Sequence, residues 1–179
     1  MKRDILSTRH CPLARAGSQL VDGWTLVLLR EVMLGNNRFD GLQEQSGMSP
    51  RSLTLRLKAL VTAEILQKHA YQERPQRFEY QLTEKGLDLW PVIVTVKQWG
   101  DKWLGPWTET GATDRTLDEP PMKLMHRGHD HEIVPQLSCR TCEEPVSVFS
   151  GLPVLSEKMI AERQEMARLH AEKKTKSAK

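Results

Sequence analysis

Several things are scarce or missing in this chain, and each absence removes a class of function. No stretch approaches the roughly 18 consecutive apolar residues that a membrane-crossing helix needs, so no membrane partner is expected. The N-terminus, "MKRDILSTRHCPLARAG", is basic but lacks the apolar block of a secretory signal. There are only three cysteines, Cys11, Cys139 and Cys142. An odd count with one close pair is not a secreted disulfide framework, and it fits thiol or metal chemistry in the cytoplasm. No glycine-rich phosphate loop and no nucleophile motif occurs, so no enzyme is expected. Net charge is also modest: +3 over 179 residues is too little to identify a nucleic-acid binder by itself. Any such argument must rest on where the charges sit.

What is present fits a soluble globular protein with polar tails, at 39% hydrophobic and 27% charged residues. The length allows one domain of about 100 to 150 residues plus an appendage. Four regions are expected: a helical domain over 1–107, a polar linker over 108–121, a small hairpin module over 122–155, and a polar helix with a basic tail over 156–179. The fold class expected is mainly α with a small β-hairpin, an α+β winged helix-turn-helix.

In the first region, "RHCPLARAGSQL" predicts a short helix with Pro12 in its first turn, where the missing N–H is harmless. "DGWTLVLLREVMLG" predicts a buried helix capped by Asp22 and stopped by Gly35, because its apolar residues cover most of the circumference. "RFDGLQEQSG" predicts another short helix, ended by Gly47. In "SPRSLTLRLKALVTAEIL" Ser49 caps a further helix and Pro50 starts it. At about 100° per residue, Leu53, Leu57, Leu60 and Val61 share one face, while Arg51, Ser52, Leu55 and Lys58 lie opposite. Thr54 and Arg56 fall at the edges. Residues 65–82 then alternate as two short strands around the basic loop "QERPQR". "TEKGLDLWPVIVTVKQWGDKWL" begins with Thr83 as a cap, and Pro91 should bend or restart it.

Helix, turn, helix, hairpin is the order of a winged helix-turn-helix. Between residues 49 and 78 lie six basic residues (Arg51, Arg56, Lys58, Lys68, Arg74, Arg77) and two acidic ones (Glu64, Glu73), a local +4. That exceeds the whole-chain value, so the charge sits where a DNA contact needs it. A helical bundle with a solvated polar face is the plainer reading of the helices alone. The basic hairpin directly after the helix favours DNA.

Four segments carry a family resemblance: "CPLARA" at 11–16, "DGWTLVLLREVMLGNNRF" at 22–39, "SPRSLTLRLKAL" at 49–60 and "ERPQRFEYQLTEKGLDLWPV" at 73–92. In order and spacing, residues 9–103 resemble the HxlR-type transcriptional regulators, relatives of the MarR group. The resemblance implies a homodimeric DNA-binding regulator, with repression the expected sign and the terminal helices forming the dimer. It implies a pseudo-palindromic operator with half-sites about 10 base pairs apart. By the same resemblance Arg51, Ser52 and Thr54 approach bases, Arg56 and Lys58 lie near phosphates, Arg74, Gln76 and Arg77 form the wing tip, Arg38 contacts the backbone, and Ser49 also counts among the DNA-binding residues. Gly41 replaces a usual acidic residue, and Glu64 stands where glycine often ends the recognition helix.

Other features bear on regulation and cofactors. Cys11 precedes Pro12 at a helix start with His10 beside it, a setting that favours thiolate. It reads either as a sensor of oxidants or electrophiles, as in some members of the resembled family, or as a small residue packed in the dimer seam. Trp24, Trp90, Trp99, Trp103 and Trp107 either wall a pocket for an aromatic effector or serve as core and dimer packing. No cofactor is required. "HRGHDHEIVPQLSCRTC" offers a structural zinc set of His126, His129, Cys139 and Cys142, with His131 as substitute. The alternatives are a free thiol pair and a hairpin held by packing. Deaminase chemistry needs His-x-Glu and Pro-Cys-x-x-Cys; here Glu132 directly follows His131 and Ser138 precedes Cys139.

Overall fold

Caps, stripes and prolines set the boundaries of the elements. The structure, a computed structural model, describes residues 3–20, 22–104, 122–147 and 149–177. The expected linker at 108–121 and Trp107 lie outside the described residues. The chain divides into two units, residues 1–26 with 147–179, and residues 27–146.

The first unit holds α1 (Arg3–Ser7) and α2 (Pro12–Leu20), with Pro12 opening its helix as expected. It also holds the C-terminal helix, Glu157–Ser177. That helix is mostly polar and is laced by solvent-exposed pairs from Arg168 to Glu165 (2.7 Å) and Glu172 (3.0 Å). The Arg168 guanidinium holds the Glu165 carboxyl below its ordinary range. Arg9 pairs with Glu162, whose Oε2 also accepts the His10 backbone N–H at 3.1 Å.

α3 (Gly23–Met33) begins where Asp22 Oδ1 accepts the Trp24 N–H at 3.0 Å, the cap foreseen. Gly35, with φ of 91°, ends the following turn in a left-handed conformation that suits glycine. Burial of α3 is less complete than the sequence suggests. Thr25, Leu28, Leu29, Glu31 and Val32 are buried, whereas Trp24 is 46% exposed. The buried Glu31 carboxylate is satisfied by Arg30 at 2.6 Å and Asn36 Nδ2 at 3.2 Å.

α4 (Phe39–Ser46) stops at Gly47, whose N–H bonds to Gln43 O. α5 (Pro50–Thr62) follows after a tight turn. Leu42, Met48, Leu53, Leu57, Leu60, Ile65 and Leu66 form the centre of the core, with Tyr80 and Val94 against it. Full burial of each such side chain stabilises by about 1.5–3 kcal/mol. Burial also pushes the Tyr80 phenol up, so it stays neutral at physiological pH.

β1 (Leu66–Glu73) and β2 (Gln76–Leu82) pair antiparallel, in register from Leu66 with Leu82 to Glu73 with Gln76. The ladder runs further than the polar loop "QERPQR" suggests. Its outer residues stay paired by backbone bonds, so only Arg74 and Pro75 form the turn. A bulge between Ala70 and Gln72 sets Tyr71 outside the ladder. β2 is held on its other side too: Arg38 bridges Glu79, and the Tyr80 N–H bonds to Asn37 O at 2.8 Å.

α6 (Glu84–Leu87) is capped by Thr83, and α7 (Trp90–Trp103) restarts with Pro91 in its first turn. Residues 122–147 form two minimal turns instead of one hairpin. Met125–Glu132 closes a turn at Arg127–Asp130, and Ser138–Pro145 closes a second. Pro135 offers no N–H, which stops the first ladder from extending. Its carbonyl accepts Gln98 Nε2 at 3.2 Å. The last helix, introduced above, is α8.

Candidate nucleic-acid interface

Every part of the candidate surface is positioned by a local rule. At the start of α5 the Ser52 N–H donates to Ser49 Oγ at 3.3 Å, and the Ser49 hydroxyl donates to Ser52 Oγ at 3.0 Å. Ser49 is therefore a cap as well as a contact candidate. No acidic residue occupies the first turn, so its N–H groups and the helix dipole favour an approaching phosphate. Leu53, Leu57 and Leu60 bury one face of the helix. Arg51, Ser52, Thr54, Leu55 and Lys58 remain exposed on the other.

Two of these side chains differ from their simple sequence role. Thr54 Oγ1 donates to Pro50 O at 2.8 Å, so its hydroxyl proton is engaged and its methyl is the free surface. Arg56 is half-buried, not an exposed edge cation. Leu55, 60% exposed on the same face, gives that surface an apolar patch of the kind that packs on a thymine methyl.

The hairpin supplies the second half. Arg74, Gln76 and Arg77 are exposed at its tip, where Gln72 Nε2 braces the turn by donating to Arg74 O at 3.0 Å. Lys68 lies 3.5 Å from the centroid of the Phe78 ring. Arg38 lies 4.5 Å over the Tyr71 ring, the ring displaced by the bulge. Because Arg38 also precedes α4 and bridges Glu79, the helix-turn-helix and the hairpin share a backbone link. Among the described residues no carboxylate lies within ion-pair distance of Arg51, Lys58, Arg74 or Arg77. Sequence reasoning missed the Arg38–Tyr71 and Lys68–Phe78 pairs; the first joins residues 33 positions apart, and no spacing rule signals it.

The C-terminal half of α5 is locked from behind. Lys85 Nζ donates to Ala63 O at 2.7 Å, and Thr83 Oγ1 donates to Glu64 O at 2.6 Å. Glu64 has φ of 57°, which explains why a glycine would suit that position.

The other candidate residues fall elsewhere. Cys11 is half-buried just before α2. The tryptophans do not gather into one pocket among the described residues. Trp90 lines a small apolar cavity of about 60 Å³ with Met33, Leu34, Ile93 and Leu124, while Trp99 and Trp103 are exposed on α7. The expected zinc set is not the one assembled: His126 and His129 group with His131, and Cys139 with Cys142 on the second turn stand outside that group.

The HxlR-like helix-turn-helix family profile matches residues 20–108. Mb3122 of Mycobacterium bovis, an uncharacterised HTH-type transcriptional regulator, is 35% identical over 141 residues, 79% of this chain and 83% of the relative. The regulator sll1512 of Synechocystis is 36% identical over 95 residues, 52% of this chain and 70% of its own. Among solved structures, PA1607, assigned as a transcription factor, superposes with a TM-score of 0.70 at 26% identity, covering 84% of this chain and 98% of its own. PA1374 from Pseudomonas aeruginosa superposes with a TM-score of 0.54 at 26% identity over 83% of this chain and 97% of its own.

Proposed function

The chain belongs to the HxlR-like helix-turn-helix family of transcriptional regulators, and from that premise we propose that it binds a pseudo-palindromic operator as a homodimer and represses the adjacent promoter. α5 enters the major groove of each half-site, and the β1–β2 tip grips the flanking backbone. Residues 1–107 carry both DNA binding and dimerisation, in the cytoplasm on chromosomal DNA. No described helix is long and apolar enough to cross a membrane. The observation that carries this reading is the face formed by Arg51, Ser52, Thr54 and Lys58, exposed and without acidic partners, beside a basic hairpin tip.

Base contact and backbone contact predict different mutant behaviour. Arg51→Ala removes a side chain suited to grip guanine with two bonds, so operator affinity falls by about 1–3 kcal/mol while non-specific binding barely changes. Arg77→Ala weakens binding to all sequences alike and lowers the slope of log affinity against log salt by about 1. Gel shifts on operator and scrambled duplexes over a salt series separate the two. Equal operator affinity of Arg51→Ala and wild type would remove α5 as the reading element.

Cys11 is the proposed point of redox or electrophile control, since it is half-buried at a helix start and distant in sequence from the other thiols. A bulky adduct there lowers operator affinity several-fold in the alkylated protein, and a Cys11→Ser variant resists the reagent. Unchanged affinity after complete alkylation makes Cys11 a packing residue. A small aromatic effector is proposed to enter between α3 and α7 beside Trp90, where the cavity of about 60 Å³ must widen to take a ring.

A further inference from the structure

We propose that the turn at 126–131 is an exchangeable metal site in which His126, His129 and His131 bind one borderline divalent cation, with zinc the first candidate. The three rings converge on one side of a six-residue turn. His126 and His129 stack with centroids 4.3 Å apart, and His131 tilts against them at 5.2 and 5.4 Å. One ring nitrogen from each lies within 4.8 Å of the other two. Tetrahedral zinc with bonds of about 2.0–2.1 Å brings its ligand nitrogens to about 3.3 Å apart. All three side chains are exposed, so the rings can turn out of their stack and direct in-plane lone pairs at one ion without moving the core.

The backbone prepares the turn. Gly128 has φ of 79°, which permits the reversal that brings His129 back over His126. The His126 N–H bonds to His131 O at 3.0 Å, and the Ile133 N–H to Leu124 O at 2.6 Å. His131 Nδ1 lies 3.1 Å from Glu132 O. When that nitrogen carries the proton and donates, the lone pair sits on Nε2. An outer hydrogen bond of this kind orients the ring and raises the basicity of a metal-binding imidazole. Neutral imidazole suits zinc and its neighbours in the transition series.

Three ligands on an exposed turn leave coordination positions open to water, so the site is exchangeable, unlike a closed four-ligand structural site. Cys139 carries a different chemistry. Backbone N–H groups of Cys142 and Thr141 hold its thiol below the ordinary range, and with Cys142 on the same turn it is a rival ligand pair that the test must separate.

The test uses the full chain, stripped with chelator and titrated with Zn²⁺, with Co²⁺ as a spectroscopic probe. One equivalent binds per chain. His129→Gln lowers affinity at least about 10-fold, the effect expected even for an outer-shell change. The double variant Cys139→Ser, Cys142→Ser leaves affinity unchanged, and the Co²⁺ form shows no thiolate-to-metal charge-transfer band. Hydrogen exchange at the His126 and Ile133 amides slows on loading. Absence of stoichiometric binding, an unchanged affinity in His129→Gln, or a thiolate band lost with the cysteines would each overturn the site.

Discussion

Replacing Trp99 by glutamate is expected to leave the chain monomeric at micromolar concentration and to lower operator affinity at least about 100-fold. The expectation comes from one face of α7. Val92, Val96, Trp99 and Trp103 follow each other at helical spacing of four, three and four residues, and are 44%, 46%, 57% and 56% exposed. An exposed apolar stripe of this kind suits a helix that packs on a second helix, and the proposed dimer uses it. Burial of each such side chain contributes about 1.5–3 kcal/mol. A two-fold interface would place two copies of a new carboxylate in the seam, and an unpaired buried charge is disfavoured by several kcal/mol. Operator affinity falls because two tethered half-site modules bind about 10² to 10⁴ times more tightly than one. Since Trp99 is exposed in the single chain, circular dichroism stays that of wild type. A variant that is still dimeric by sedimentation, with unchanged operator affinity, places the seam elsewhere.

The second large effect is on stability. Gly86→Ala drives a Cβ into the Ile65 carbonyl oxygen and to 2.9 Å from Leu82 Cδ2. The Leu82 methyl can move aside, but the Ile65 backbone carbonyl cannot yield freely. Ile65 O already accepts the Thr83 N–H at 3.1 Å, and it sits where α5, β1 and α6 meet. Overpacking costs about 1–3 kcal/mol and sometimes more; with backbone as the obstacle the upper end applies. At about 4–8 °C per kcal/mol for a domain of this size, the melting temperature falls by about 10–20 °C. Gly100→Ala is the control, because nothing lies within 4 Å of its added Cβ. If Gly86→Ala melts with wild type, the close approach of α6 to the end of α5 is not real.

The sequence made the local rules legible. Ser49 and Pro50 announce α5, Gly35 and Gly47 end their segments, Pro91 separates α6 from α7, and the leucines of α5 mark its buried face. Each of these depends on residues within one or two turns of one another. What stayed hidden depends on tertiary approach. Arg38 over Tyr71 needs the bulge in β1, and Arg56 turns inward only because of what packs around α5. The paired gaps of "HRGH" and "CRTC" suggest a two-plus-two zinc set, but the left-handed Gly128 folds His131 against the first two histidines instead. From spacing alone Trp99 and Trp103 read as core or dimer packing rather than as an effector pocket, and their exposure on α7 favours a seam over the core.

In the proposed complex two α5 helices, held by a shared seam, read one duplex from one side. Hydroxyl-radical footprinting of the full chain on the DNA upstream of its own coding region tests this most directly. The account predicts two protected patches about 10 base pairs apart, or a multiple of that, with two chains bound per duplex and protection fading as salt rises. A single patch with one chain bound, or no protection at low ionic strength, would contradict it.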